Sequence, residues 1–104
     1  MNLLSITFHS TENVTKQWAN YVQNTLIPSI ENFTKVERYI LSDVDSRMLN
    51  EGKNTNLLLI FENQDEIHWF MDSEMPHLQG LIEQQFGNEV MIFCTFLNPI
   101  HSKF

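Results

Sequence analysis

Basic residues are scarce in this chain: six Lys and Arg stand against 13 Asp and Glu, for a net charge of −7. With no cluster of cations to neutralise phosphates, nucleic acid and anionic membrane surfaces are excluded as partners. Cysteine is reduced to Cys94, so no internal disulfide can form and nothing asks for an oxidising compartment. Inside the apolar run VMIFCTFL its thiol is expected to be buried and inert. Glycine and proline number three each, and 42% hydrophobic with 18% charged residues is the composition of a folded soluble protein. No apolar stretch reaches the length of a membrane span, and MNLLSITFH lacks the basic and long apolar parts of a signal peptide, which predicts a cytoplasmic chain. The triplets Asn13-Val14-Thr15 and Asn32-Phe33-Thr34 then have no secretory context and are read as chance N-glycosylation matches.

Chemical motifs are missing too. There is no glycine-rich phosphate loop, no Ser-His-Asp order and no closely spaced Cys/His cluster, so neither a cofactor nor a metal is expected. Asp43-x-Asp45 does not begin a calcium loop, because an EF-hand would need another oxygen ligand at Arg47 and glycine at Met48.

What is present is pattern. A length of 104 residues makes one domain, 1–104. LLSITFH alternates, which predicts a strand over about 3–9 with Leu4, Ile6 and Phe8 on one face and Ser5, Thr7 and His9 on the other. Val14, Trp18, Tyr21, Val22 and Leu26 recur at helical spacing after the possible caps Ser10 and Thr11, until Pro28 kinks or ends the helix. KVERYILSD reads as a polar, edge-like second strand and VDSRMLNEGKNTN as a long hairpin connection. NLLLIFEN is a third strand, residues 64–86 a long helix, and EVMIFCTFL (89–97) a fourth strand. The order βαββαβ predicts an α+β, ferredoxin-like fold, with both helices on one side of a four-stranded antiparallel sheet.

That arrangement leaves one sheet face bare, yet Leu57–Phe61 and Val90–Leu97 present apolar side chains to both faces. Something must cover the bare face. A second copy packed sheet to sheet, forming a dimeric α/β barrel, is the commonest closure, and a long loop folded over the face is the competing one.

The stretch DEIHWFMDSEMPHL (65–78) is the densest in chemical groups. On a continuous helix His68 and His77 differ by about half a turn and cannot share a metal. The apolar stripe Ile67, Phe70, Met71, Met75, Leu78, Leu81, Ile82 and Phe86 runs on through Pro76, which is read as a kink or as the first turn of a segment capped by Asp72 or Ser73. Asp72 and Glu74 offer the histidines local ion-pair partners. Trp69 projects opposite the stripe and is a candidate interface anchor.

A second polar set comes from strand one. If Leu4, Ile6 and Phe8 pack on the helices, Ser5, Thr7 and His9 point into the space between two sheets, where a ligand would sit. Tyr39, Glu37 or Glu62 could join them, depending on register.

The strings SITFH (5–9), Trp18 followed by Ile27-Pro28, and FGNEVMIFCTFLNPI (86–100) resemble the domain of unknown function 4286 family of small bacterial proteins, found mainly in Bacteroidetes, over essentially the whole chain. That family looks like part of the dimeric α/β-barrel group, in which two ferredoxin-like sheets pack face to face and can enclose a pocket. The group includes cofactor-independent monooxygenases, haem-degrading enzymes, isomerases and ligand-sensing domains, so the resemblance implies the fold and the homodimer without selecting an activity. This chain departs from the relatives at Ser5, where many have asparagine, and at Leu26, where an aromatic residue or histidine precedes Ile-Pro.

Two functions are expected from these observations. The first is a non-catalytic module binding a small apolar ligand or a protein partner. The second is a cofactor-independent enzyme of the monooxygenase or isomerase type, with His9 as general base and Ser5, Thr7 or Tyr39 orienting the substrate.

Overall fold

A computed structural model of the chain describes residues 1–45 and 51–103. Arg47 and Met48, on which the exclusion of a calcium loop rests, lie outside the described residues, as does the middle of the predicted hairpin connection. Strand β1 (Asn2–Ser10) leads through a short 3-10 turn into α1 (Thr15–Tyr21), a π turn (Val22–Leu26) and α2 (Ile27–Glu31). Strands β2 (Arg38–Asp43) and β3 (Lys53–Phe61) follow, then α3 (Gln64–Phe86), a 3-10 turn and β4 (Val90–Leu97). The sheet is antiparallel with strand order β2-β3-β1-β4. This is the ferredoxin-like arrangement, with β1 and β3 central and β2 at an edge.

Pro28 does not end the first helical arm. Helix resumes as α2, with Pro28 in its first turn, and the preceding π turn closes with Ile27 N–H donating to the Val22 carbonyl. The wider turn makes room for the ring and places proline where no amide donor is needed. Pro76 likewise interrupts nothing: α3 is one helix of 23 residues. The proline and Asp72, four residues earlier, are both exposed, so the carbonyl that loses its partner faces water.

The apolar stripe of α3 is narrower than its spacing predicts. Ile67, Phe70, Met75, Leu78, Ile82 and Phe86 are buried, Met71 is half-buried and Leu81 is exposed. Asn63 caps the helix, its side-chain oxygen accepting from Glu66 N–H at 3.0 Å, and Asp65 and Glu66 complement the positive end of the helix. Asn63→Ala is expected to cost about 1 kcal/mol, readable as a lower urea midpoint with an unchanged slope.

The core lies between the sheet and the helices, from Leu4, Ile6, Phe8, Leu57, Leu59 and Phe61 on the strands to Trp18, Tyr21, Leu26, Phe70 and Ile82 on the helices. Trp18 is its keystone. The indole packs against Phe8 at 5.3 Å, Tyr21 at 5.5 Å and Phe86 at 5.6 Å between centroids, and its N–H donates to Thr55 Oγ1 at 3.2 Å. No helix among the described residues is long and apolar enough to cross a membrane.

Candidate functional site

Among the described residues, no helix lies over the opposite face of the sheet. Side chains alternate along each strand, so the register places them on this face in rows that run from β2 across to β4. The first row is Arg38, Ile60, Leu3 and Leu97; the second is Ile40, Leu58, Ser5 and Thr95. The third is Ser42, Asn56, Thr7 and Phe93, and the last is Asn54, His9 and Met91. Apolar side chains therefore surround a polar centre built on β1 and β3. Ile40 is 55% exposed, Phe93 54% and Met91 47%, values that belong to a surface awaiting cover.

Although the chain has 13 acidic residues, none occupies these rows. The net negative charge is segregated to the rest of the molecule.

The polar centre is held by hydrogen bonds between the two strands. Asn56 Nδ2 donates to Ser5 Oγ at 2.8 Å and to Thr7 Oγ1 at 3.2 Å. His9 Nδ1 lies 2.6 Å from Asn54 Oδ1. An amide oxygen only accepts, so with this orientation Nδ1 donates, and in the neutral ring Nε2 is left as an acceptor.

Gly52 adjoins the same imidazole with φ +79°, a region that favours glycine. A Cβ there would lie 2.4 Å from the Ser10 carbonyl oxygen, 2.9 Å from His9 Cε1 and 3.0 Å from Nε2. A side chain at this position would crowd the Nε2 edge. Toward the first two rows the face dips into a groove of ≈ 560 Å³ lined by Leu3, Ile40, Leu58 and Ile60, with Glu37, Arg38 and Tyr39 closing it along β2. That volume is within the range of small-molecule sites.

Of the residues singled out in the sequence, Ser5, Thr7 and His9 share this face. Tyr39 does not. It pairs with Leu59 on the helix-covered side and its hydroxyl donates to Glu31 Oε1. That hydrogen bond, then burial and the carboxylate's charge, pushes the phenol above its ordinary pKa. Glu37 and Glu62 flank β2 and β3 outside the rows, both exposed. Trp69, 40% exposed, has a partner within the chain, since Lys35 Nζ sits 5.7 Å from its ring centroid. His68 and His77 are exposed on α3, away from the bare face, and the ion pairs Lys35–Glu66 and Lys53–Asp43 involve neither of them. No group of three or more His, Cys, Asp or Glu among the described residues could hold a metal ion.

Cys94 lies half-buried on the helix side of β4, and burial pushes its thiol up, away from the reactive thiolate.

Asn54 and Asn56 were hidden in the sequence because asparagine is depleted from strands and NTN adjoins a loop-like stretch. Strand β3 instead starts at Lys53 and pairs Asn54 with His9 and Asn56 with Thr7. The alternation of NTN against that of SITFH was the available signal.

The family model described as Domain of unknown function (DUF4286) matches residues 1–100. The chain belongs to this family. No curated protein matches it.

Solved structures of the same fold resemble this DUF4286 chain along nearly their whole length. HapK from Hahella chejuensis superposes with a TM-score of 0.68 at 11% identity, covering 100% of this chain and 97% of that one. A proposed antibiotic biosynthesis monooxygenase from Deinococcus radiodurans gives 0.65 at 8% identity, covering 100% and 99%. A dimeric ferredoxin-like protein of unknown function from Thermobifida fusca gives 0.62 at 11%, covering 93% and 92%. At such identities the likeness concerns the fold alone.

Proposed function

We propose that this DUF4286 chain is a homodimeric module in which two copies stack bare face to bare face and hold a small, largely apolar ligand between the sheets without transforming it. One observation carries this reading: the four rows of the bare face combine exposed apolar side chains with no Asp or Glu, Glu37 reaching only the β2 side of the groove, in a chain of net charge −7. Two like-charged copies repel each other elsewhere and can approach on this face, where burial of apolar surface is favourable.

The dimensions agree. Four strands about 4.8 Å apart and four side-chain rows about 6.7 Å apart make a face of roughly 500 Å² in projection. Allowing for side-chain relief, that approaches the ~800 Å² of accessible surface that each partner buries in a stable complex. Dimeric relatives of the same fold support the same assembly.

Native mass spectrometry of the purified protein tests the reading. A dimer is expected, with or without a retained small molecule. A monomer would show that the face is covered by something other than a second copy.

A second reading is favoured by the His9–Asn54 bond, which fixes the tautomer and leaves Nε2 able to take a proton. On that reading the chain is a cofactor-independent enzyme of the monooxygenase or isomerase type, and His9 is its general base. Deuterium from D2O entering a C–H position of a bound ligand, with wild type and not with His9→Ala, would favour the enzyme over the binding module.

A further inference from the structure

We infer that the ligand of the bare face is an uncharged molecule carrying a carbonyl at one end and a hydroxyl at the other; this rests on the dimeric ligand-binding reading above. The inference follows from the donors and acceptors that the strand-to-strand bonds leave over.

Asn56 Nδ2 has two hydrogens, and one goes to each of Ser5 Oγ and Thr7 Oγ1. Each hydroxyl therefore accepts from the amide and keeps its own hydrogen to give away from the sheet. Both hydroxyl oxygens lie within 3.2 Å of a single nitrogen. One oxygen atom on the opposite side can accordingly meet both hydroxyls, and a carbonyl oxygen with two lone pairs is the group that accepts twice.

His9 has the complementary vacancy. Its Nδ1 hydrogen is committed to Asn54, so Nε2 of the neutral ring accepts, and glycine at 52 sets no side chain against that edge. A donor on the ligand fits there. Thr7 and His9 are two residues apart on β1, about 6.7 Å along the strand, a distance that one aromatic ring with substituents at both ends can span.

The neighbours argue for neutrality and an apolar spacer. Phe93 pairs with Thr7 and Met91 with His9 across β1 and β4, and Leu58 flanks Ser5 on β3. Arg38 is two strands away in the row most distant from His9. Among the described residues, no charged side chain on this face therefore adjoins the Thr7–His9 span, and an ionised ligand would be desolvated there without a partner.

The test uses 4-hydroxyacetophenone, with acetophenone lacking the donor and 4-hydroxybenzoate replacing the ketone by a carboxylate. Isothermal titration of the wild-type dimer is expected to show 4-hydroxyacetophenone binding roughly fivefold to tenfold tighter than acetophenone, the yield of one hydrogen bond. The charged analogue should bind more weakly than either. His9→Ala should erase the advantage of the hydroxyl while leaving acetophenone binding in place, and Thr7→Val should weaken both ketones. Gly52→Ala, if it folds, should act like His9→Ala. Equal affinity for all three compounds, preference for the carboxylate, or a dimer that binds none of them would overturn the inference. A monomer in the accompanying native mass spectrum would instead overturn the dimeric reading beneath it.

Discussion

Leu58→Asp is expected to turn the dimer into a monomer at micromolar concentration. Leu58 lies in the second row of the bare face, on central strand β3 between Ile40 and Ser5. An aspartate there would be carried into the interface by both copies. Each carboxylate would lose water with Arg38, diagonal to it in the first row, as the one cation near it among the described residues, and the two like charges would face each other across a low-dielectric gap. A dissociation constant raised by at least about 1,000-fold corresponds to about 4 kcal/mol, within the cost of desolvating two like charges. The fold should survive, because Leu58 points away from the core formed by Leu57 and Leu59. Sedimentation equilibrium with a far-UV spectrum checks both halves, and a Leu58→Asp protein that stays dimeric would mean that the dimer uses another surface.

Trp18→Ala should damage the opposite side of the sheet, lowering stability by about 4 kcal/mol. The indole is 1% exposed and contacts three aromatic rings on β1, α1 and α3. Its loss leaves a cavity that these elements cannot fill without moving together, and Thr55 loses the donor that faces its hydroxyl. For a domain of this size the melting temperature should fall by roughly 20 °C, measured at fixed protein concentration because assembly shifts it as well. Trp18→Phe separates the two contributions. It restores most of the packing yet still removes the N–H, so a residual loss of about 1–2 kcal/mol should remain.

The two substitutions probe what was legible in the sequence and what was not. Alternation in LLSITFH and the long stripe of α3 needed only the local periods of strand and helix, and the boundaries 64–86 match the structure. The bare face was legible too, because apolar residues on both sides of a strand demand two coverings. Register was not. Tyr39 was grouped with Ser5 and Thr7, but a shift of one residue moves a side chain to the other face, and pairing with Leu59 sends Tyr39 to the helices. The partners of the polar centre were hidden for a related reason. Asn54 meets His9 across 45 positions and Asn56 meets Ser5 across 51, and no local period reports such distances.

Strand β1 is made first and completed last. One of its edges pairs with β3, but the other waits for Val90–Leu97, so the order β2-β3-β1-β4 stays unfinished until nearly ninety further residues have been added. At ordinary rates of translation that interval is on the order of ten seconds, far longer than a hairpin or helix needs to form. Through most of its own synthesis the chain therefore carries an unpaired strand edge beside Leu4, Ile6 and Phe8, and the topology makes biosynthesis, more than the finished state, the period of greatest exposure to wrong partners.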